Sequence, residues 1–252
     1  MNLREWRFSP LEFSVMCERG GRDRLPYPLT FQPPGDSPEQ RAMLRAKATA
    51  SLEARVDERM VDAFDVLLDP DVRIEVYGFN EPNLTTRIRM HAGSRRGTAV
   101  LATQFEDEPG EGGDVIVRRR SANIVASDIV NELPATAAGK LNGVRVHRND
   151  LAENSGNYLV PANEISVADQ ARQFFGRQRD CAGEVRVYAG PAVDWRTEKG
   201  RITYWIDFAG DGRYLLKRGS VISAKPATAA DLSAEIERAM AAVVRDRSAD
   251  VD

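Results

Sequence analysis

Apolar residues in this chain change their period from three-and-four spacing to alternation and back, and they do so twice. The first helical stretch opens at Ser9-Pro10-Leu11-Glu12 and the second at Ser37-Pro38-Glu39-Gln40. Each offers an N-cap serine, a proline at the first helical position and an acid or amide that can answer the cap, which satisfies backbone donors otherwise left without partners. The first helix is predicted to reach about Arg19 and stop at Gly20-Gly21. The second runs to about Val56 with only a thin apolar stripe of Leu44, Ala48 and Leu52, so much of it faces solvent. A third, over 58–68, places Val61, Phe64, Leu67 and Leu68 on one face before Asp69-Pro70-Asp71 ends it. Between the first two lies Leu25-Pro26-Tyr27-Pro28-Leu29, a stiff strut whose prolines hold the backbone extended and whose three large side chains are expected to dock.

Strands follow at 72–79, 84–92, 98–105 and 114–119, separated by Asn80-Glu81-Pro82-Asn83 and by the glycine-bearing pieces 93–97 and 109–113, which predicts an antiparallel meander. Ser121 is expected to cap a helix carrying Ile124, Val125, Ile129, Val130 and Leu133, and 134–140 reads as a connector. The plan then repeats. A strand at 144–148 leads into Asn149-Asp150, and Ser166-Val167-Ala168-Asp169 starts a helix with Val167, Ala171, Phe174 and Phe175 on one side. Four more strands are predicted at 183–189, 201–208, 213–218 and 220–224, with Asp211-Gly212 as a tight turn. Thr228 caps a last helix whose Leu232, Ile236, Met240, Val243 and Val244 face inward, and residues after about Arg247 should fray. The reading is a single domain over 1–252 of α+β class. It is built of two pseudo-symmetric halves, about 1–139 and 140–252, with mostly antiparallel sheet and flanking helices and helical bundles.

Composition narrows the function. The 252 residues, 42% of them hydrophobic, suffice for a sizeable core. The strongly apolar stretches, such as 202–209, fall well short of the ~20 residues that span a bilayer, and the first eight residues lack a secretory h-region, so a cytoplasmic protein with no stable membrane insertion is expected. Thirty-eight acidic and 35 basic residues are too balanced for a nucleic-acid binder, and Arg95-Arg96 and Arg118-Arg119-Arg120 read as solvated surface. Cys17 and Cys181 lie far apart and outside any C-x-x-C pair, which favours free buried thiols. His91 and His147 have no partner at metal-ligand spacing, G-x-S-x-G is absent, and the glycine-rich run 108–113 is acidic and lacks the P-loop lysine. No catalytic residue, metal site or cofactor is therefore expected. Trp195, Tyr204 and Trp205 concentrate around one hairpin and read as core packing or, alternatively, as an interaction surface.

Several segments, in order, resemble the EspG family of actinobacterial type VII (ESX) secretion. They are the helix 11–19 followed by Gly21-Arg22-Asp23-Arg24-Leu25-Pro26-Tyr27-Pro28-Leu29, the long helix after Ser37-Pro38-Glu39, the helix end Leu67-Leu68-Asp69-Pro70, and Asp211-Gly212-Arg213-Tyr214-Leu215-Leu216. The resemblance implies a non-catalytic cytosolic chaperone that holds the helical tip of the PPE subunit of a PE-PPE heterodimer and delivers the pair to type VII secretion components. It also implies that part of the grip comes from the loop Phe79-Asn80-Glu81-Pro82-Asn83-Leu84 and part from second-half helices, through Gln170, Phe174, Arg177 and Gln178. Read from the residues alone, the loop is equally an ordinary hairpin turn, and the helical spacing of Phe174 favours a core residue. Two other classes stay open: a small-ligand or enzymatic module using Cys17, Cys181, His91 or His147, and a scaffold that self-associates as a homodimer.

Overall fold

A computed structural model describes residues 4–80, 86–106, 111–152, 166–192 and 199–249. Strand β1 (Arg4–Phe8) leads into α1 (Pro10–Arg19), followed by α2 (Pro38–Glu53) and α3 (Glu58–Leu68). The meander β2 (Val72–Asn80), β3 (Thr86–Arg95), β4 (Thr98–Glu106) and β5 (Gly112–Ser121) comes next, then α4 (Val125–Asn131). The second half contains β6 (Val144–His147), α5 (Arg148–Ala152) and α6 (Val167–Phe175). It continues through β7 (Arg179–Ala189), β8 (Arg201–Phe208), β9 (Gly212–Lys217) and β10 (Val221–Pro226) to α7 (Ala229–Ala249).

The helix starts obey local chemistry. Ser9 Oγ accepts the Glu12 N–H while the Glu12 carboxylate accepts the Ser9 N–H at 2.9 Å, a reciprocal capping box. Ser37 accepts from Gln40 and Ser166 from Asp169 in the same way, and Asp57 caps α3 by accepting the Met60 N–H at 2.8 Å. Ser121 does not cap α4. It closes β5, and α4 begins after an exposed Ile124 with no side-chain cap.

The ten strands among the described residues form one antiparallel sheet in the order β1-β5-β4-β3-β2-β7-β8-β9-β10-β6. From either edge inward the sequence of roles is the same. The strand that opens each half is outermost, the last strand of that half's meander is beside it, and the meander's first strand reaches the centre. There β2 and β7 pair from Val72 against Ala189 to Asn80 against Cys181. Gly78 faces Gly183 at this junction, and both are glycine for a steric reason. A Cβ on Gly183 would stand 2.3 Å from the Trp205 ring, and one on Gly78 2.9 Å from it.

Alternation sorts the sheet into two faces. On one, Val72, Ile74 and Val76 of β2, Ala99 and Leu101 of β4, Val185 and Val187 of β7, and Trp205 pack under α4 and α7. On the other, Phe13 of α1 and Phe64 and Leu67 of α3 pack with Phe8 of β1 over Val100, Ala102, Val115 and Val117. Phe174 of α6 covers Ile206, Phe208, Tyr214 and Leu216. Each large apolar side chain so buried contributes on the order of 1.5–3 kcal/mol.

Three apolar residues expected in the core are exposed instead: Val61, Val167 and Val244. The buried rows are Met60, Ala63, Phe64 and Leu67 in α3, Ala168, Ala171 and Phe174 in α6, and Leu232, Ile236, Ala239 and Val243 in α7. Each misplaced valine is one residue from such a row, which on a helix is a turn of about 100° toward solvent. Gly93 is not part of a break but lies inside β3, where a Cβ would come within 2.2 Å of the Val66 carbonyl. The turn is confined to Arg96 and Gly97, at φ 48° and 79°. The connector is held by the second half: Arg213 N–H donates to Ala137 O at 2.8 Å and Gly139 N–H to Arg213 O at 3.0 Å. Beneath it the buried Arg213 and Asp207 form a two-pronged ion pair at 2.8 Å, and Arg213 also donates to Pro134 O.

Candidate partner-binding site

Where the two halves meet, no helix among the described residues covers the face opposite α4 and α7. Strand β2 presents Arg73, Glu75, Tyr77 and Phe79 there, because these alternate with the buried Val72, Ile74 and Val76. Register places Tyr188, Arg186, Glu184 and Ala182 of β7 directly opposite them, and Tyr204 and Ile202 of β8 opposite Glu184 and Arg186. Tyr77, Phe79, Glu184, Arg186, Tyr188 and Tyr204 are half-buried and Ile202 is exposed, so the strip is open to solvent but lined by rings. Tyr77 and Phe79 meet edge-on at 5.3 Å, Arg73 lies 4.6 Å from the Tyr188 ring, and Arg218 lies 4.4 Å from Tyr204. Arg73 and Glu75, both buried, neutralise each other at 2.7 Å, and Arg186 pairs with Glu184 at 2.5 Å.

One wall is the strut. Leu29 is buried in the first-half core and Leu25 packs partly against it, whereas Tyr27 stays 46% exposed beside Tyr77, with ring centroids 6.2 Å apart. The expectation that all three side chains dock therefore fails for Tyr27. The backbone is held from below: His91 Nδ1 lies 2.7 Å from the Tyr27 carbonyl, so this nitrogen carries the proton and donates. Burial drives the His91 pKa from its ordinary value down to about 4, against hydrogen bonds to the Tyr27 and Leu67 backbone that pull it up.

The other wall is α6 and its exit. Phe174 is only 6% exposed, edge-on to Phe208 and Tyr214, so it shapes the surface from below without presenting its ring. Arg177 lies 3.8 Å from the Phe208 ring and 4.3 Å from Phe174, and it bonds Asp211 at 2.6 Å. Burial by itself would raise Asp211, but the Tyr214 hydroxyl, the Lys140 N–H and Arg177 together bring its pKa to about 2. Gln170 and Gln178 are exposed. Asn80 faces Cys181, three residues after Gln178, so the strand end carrying Phe79 and Asn80 and the exit of α6 occupy the same end of the sheet. Glu81, Pro82, Asn83 and Leu84 lie outside the described residues, as does Trp195. Trp205 belongs to the core, not to this face, and its indole N–H points at Cys181 Sγ.

Nothing in the described part of the chain gathers a reactive constellation. Cys17 and Cys181 are buried free thiols whose pKa values burial pushes up to about 12 and about 11, which keeps them protonated. No group of three or more His, Cys, Asp or Glu among the described residues is placed to hold a metal ion. Two open clefts of about 540 and 620 Å³ flank the segment after the strut, and neither has a histidine or cysteine in its lining. No helix among the described residues is long and apolar enough to cross a membrane. The sequence reading missed Tyr77, Glu184, Arg186 and Tyr188; their signal was a polar or aromatic phase alternating with valines on strands destined for the sheet centre.

Fold and site define an α+β protein with a long antiparallel sheet and an open, ring-lined strip at its centre, a surface suited to another macromolecule and not to an enclosed small ligand. The chain belongs to the EspG family, whose model matches residues 9–238. Among solved structures it is similar to the Mycobacterium tuberculosis type VII secretion system chaperone EspG5, determined in complex with a PE25-PPE41 dimer. The TM-score is 0.61 at 15% identity, covering 94% of this chain and 96% of that one. No curated protein matches the chain in sequence.

Proposed function

We propose that this protein is a non-catalytic chaperone that binds the helical tip of the PPE subunit of a PE-PPE heterodimer, keeps the pair soluble in the cytoplasm and delivers it to a type VII secretion system. The observation that carries the reading is family membership across 9–238, together with a shared fold with a chaperone whose structure holds a PE-PPE dimer. An apolar helix end in water invites self-association, and covering it needs shape and a few anchors over an interface of roughly 1,600 Å², without bond chemistry.

The strip at the β2–β7 junction supplies such a surface. Phe79 and Asn80 at its end, residues 81–84 that follow them in sequence, and Gln170 and Gln178 beside α6 are the contacts we assign to the partner, with Phe174 and Arg177 supporting the surface from below. The nine paired positions from Val72 to Asn80 join the two halves through one sheet, which supports reading the chain as one binding module. Gel filtration of the purified protein with the PE-PPE pairs encoded in its own genome tests this. Co-elution with at least one pair is expected, and co-elution with none overturns the proposal. Phe79→Asp should weaken the complex at least tenfold while moving the thermal midpoint by no more than a few degrees.

A further inference from the structure

Tyr27 is an aromatic residue held out of the core by a backbone that is itself firmly placed. The strut is pinned at three levels. Arg22 donates to the Leu68 carbonyl at 2.9 Å, His91 donates to the Tyr27 carbonyl at 2.7 Å, and the Gln104 side-chain amide pairs with Thr30 in both directions, at 2.8 and 2.7 Å. Gln104 acts here as a piece of β-strand, since its amide offers the donor and acceptor a neighbouring backbone would. A Cβ at Gly112 would strike that amide at 2.4 Å, so the glycine keeps the space for it. With Leu29 anchored in the core, the Tyr27 ring is left standing over the sheet at 46% exposure.

The ring continues an aromatic file. Tyr27 lies 6.2 Å from Tyr77, Tyr77 lies 5.3 Å from Phe79, and the Arg186 guanidinium is 5.9 Å from the Tyr27 centroid. We propose that this file is the anchor of the partner interface, and that Tyr27 is a direct contact taking an apolar side chain at the helix end of the PPE subunit. The inference rests on the chaperone reading and adds to it a first-half wall, distant in sequence from residues 81–84 and from α6.

The occupant follows from dimensions and chemistry. Strands β2, β7 and β8 span about 10 Å between outer axes at ~4.8 Å per strand, which matches one helix of about 10–12 Å diameter. A helix end exposes backbone groups with no partner inside the helix, and a phenol can hydrogen-bond one of them while its ring covers the apolar side chain next to it. The prepaid placement of the strut also matters, because a tyrosine that is already ordered loses little rotamer freedom on binding.

The test is titration calorimetry of the full chain against the PE-PPE pair with which it co-elutes. Tyr27→Ala should weaken binding at least tenfold, and Tyr27→Phe should stay within about threefold of wild type, with thermal midpoints close to wild type for both. Wild-type affinity in Tyr27→Ala overturns the assignment. Should Tyr27→Ala fail to fold, Tyr27→Leu carries the measurement: severalfold weaker binding supports the contact and unchanged binding refutes it. If the wild-type chain binds while Tyr27 variants bind equally well, only this inference falls; if the wild-type chain binds no PE-PPE pair, the chaperone reading falls and takes it along.

Discussion

Acid should loosen this protein through His91 before its carboxylates matter. The imidazole is buried beneath the strut, and its pKa falls from an ordinary 6.5 to about 4 because burial penalises the charged ring. A pKa lower in the folded than in the unfolded chain means that the unfolded chain takes up the proton first. Stability is therefore full above pH 6.5, declines as pH falls, and the loss is complete once pH passes below about 4. The difference, 6.5 minus about 4, is about 2.5 decades; at ~1.36 kcal/mol each the total is roughly 3 kcal/mol, of which about 2 is lost by pH 5. Glu12, Glu18 and Asp211, whose pKa values are lowered in the fold, contribute only as pH approaches their ordinary values of 3.8–4.5. His91→Gln keeps a neutral, polar side chain of similar length that cannot titrate. Urea denaturation followed by circular dichroism at pH 7, 6 and 5, at constant ionic strength, should show wild type losing about 2 kcal/mol more than His91→Gln across that range. The subtraction cancels every other titrating group. Parallel profiles for the two proteins would refute the argument.

Three further outcomes are expected. Gly183→Ala puts a methyl group 2.3 Å from the Trp205 ring and 2.5 Å from the Tyr77 carbonyl, and should cost at least about 1–3 kcal/mol with a shifted tryptophan emission, whereas Gly219→Ala, with its nearest neighbour at 3.8 Å, should be near neutral in the same denaturation assay. Asp207→Ala strands the buried Arg213 charge and should cost about 3–5 kcal/mol by chemical denaturation; replacing both residues by apolar ones of similar volume should recover most of it. Ser9→Ala removes one half of the α1 capping box and should cost about 1 kcal/mol, read as a lower urea midpoint at unchanged slope.

The elements themselves were legible because local rules decide them. Ser9, Ser37 and Ser166 cap where their sequences say, the strand at 201–208 occupies the expected residues, and Asp211 with glycines at φ 70° and 151° makes the expected turn. Phase within a helix was less legible. Val61, Val167 and Val244 are as apolar as their buried neighbours, and only the neighbouring layer determines which side of a helix faces in. The site was legible in part. Phe79 and Asn80 do end a strand beside the exit of α6, but nothing local marks Tyr77 or Arg186, whose meaning depends on β2 pairing with β7 across more than a hundred residues of chain. Tyr27 was misjudged for a related reason: the prolines announce a rigid strut, yet the anchors that turn its tyrosine outward, His91 and Gln104, come from strands that follow much later.

The location of the open strip follows from how the fold closes. Each half uses its helices on this face to cover its own outer strands, α1 and α3 over β3 to β5, and α6 over β8 to β10. The junction strands, β2 from one half and β7 from the other, lie between the two helical layers. A fully apolar face there would aggregate, and a fully charged one would bind no apolar helix end. The residues found are a compromise between these demands. Buried Arg73 and Glu75 neutralise each other, Arg186 and Glu184 do the same nearer solvent, and Tyr77, Phe79, Tyr188 and Tyr204 supply area that is apolar on its faces and tolerant of water at its edges. A uniform strand of valines on both faces would have produced a more ordinary central sheet. The interruption of that pattern on one face only, at the line where β2 pairs with β7, is what leaves an open, ring-lined surface at the centre of the sheet.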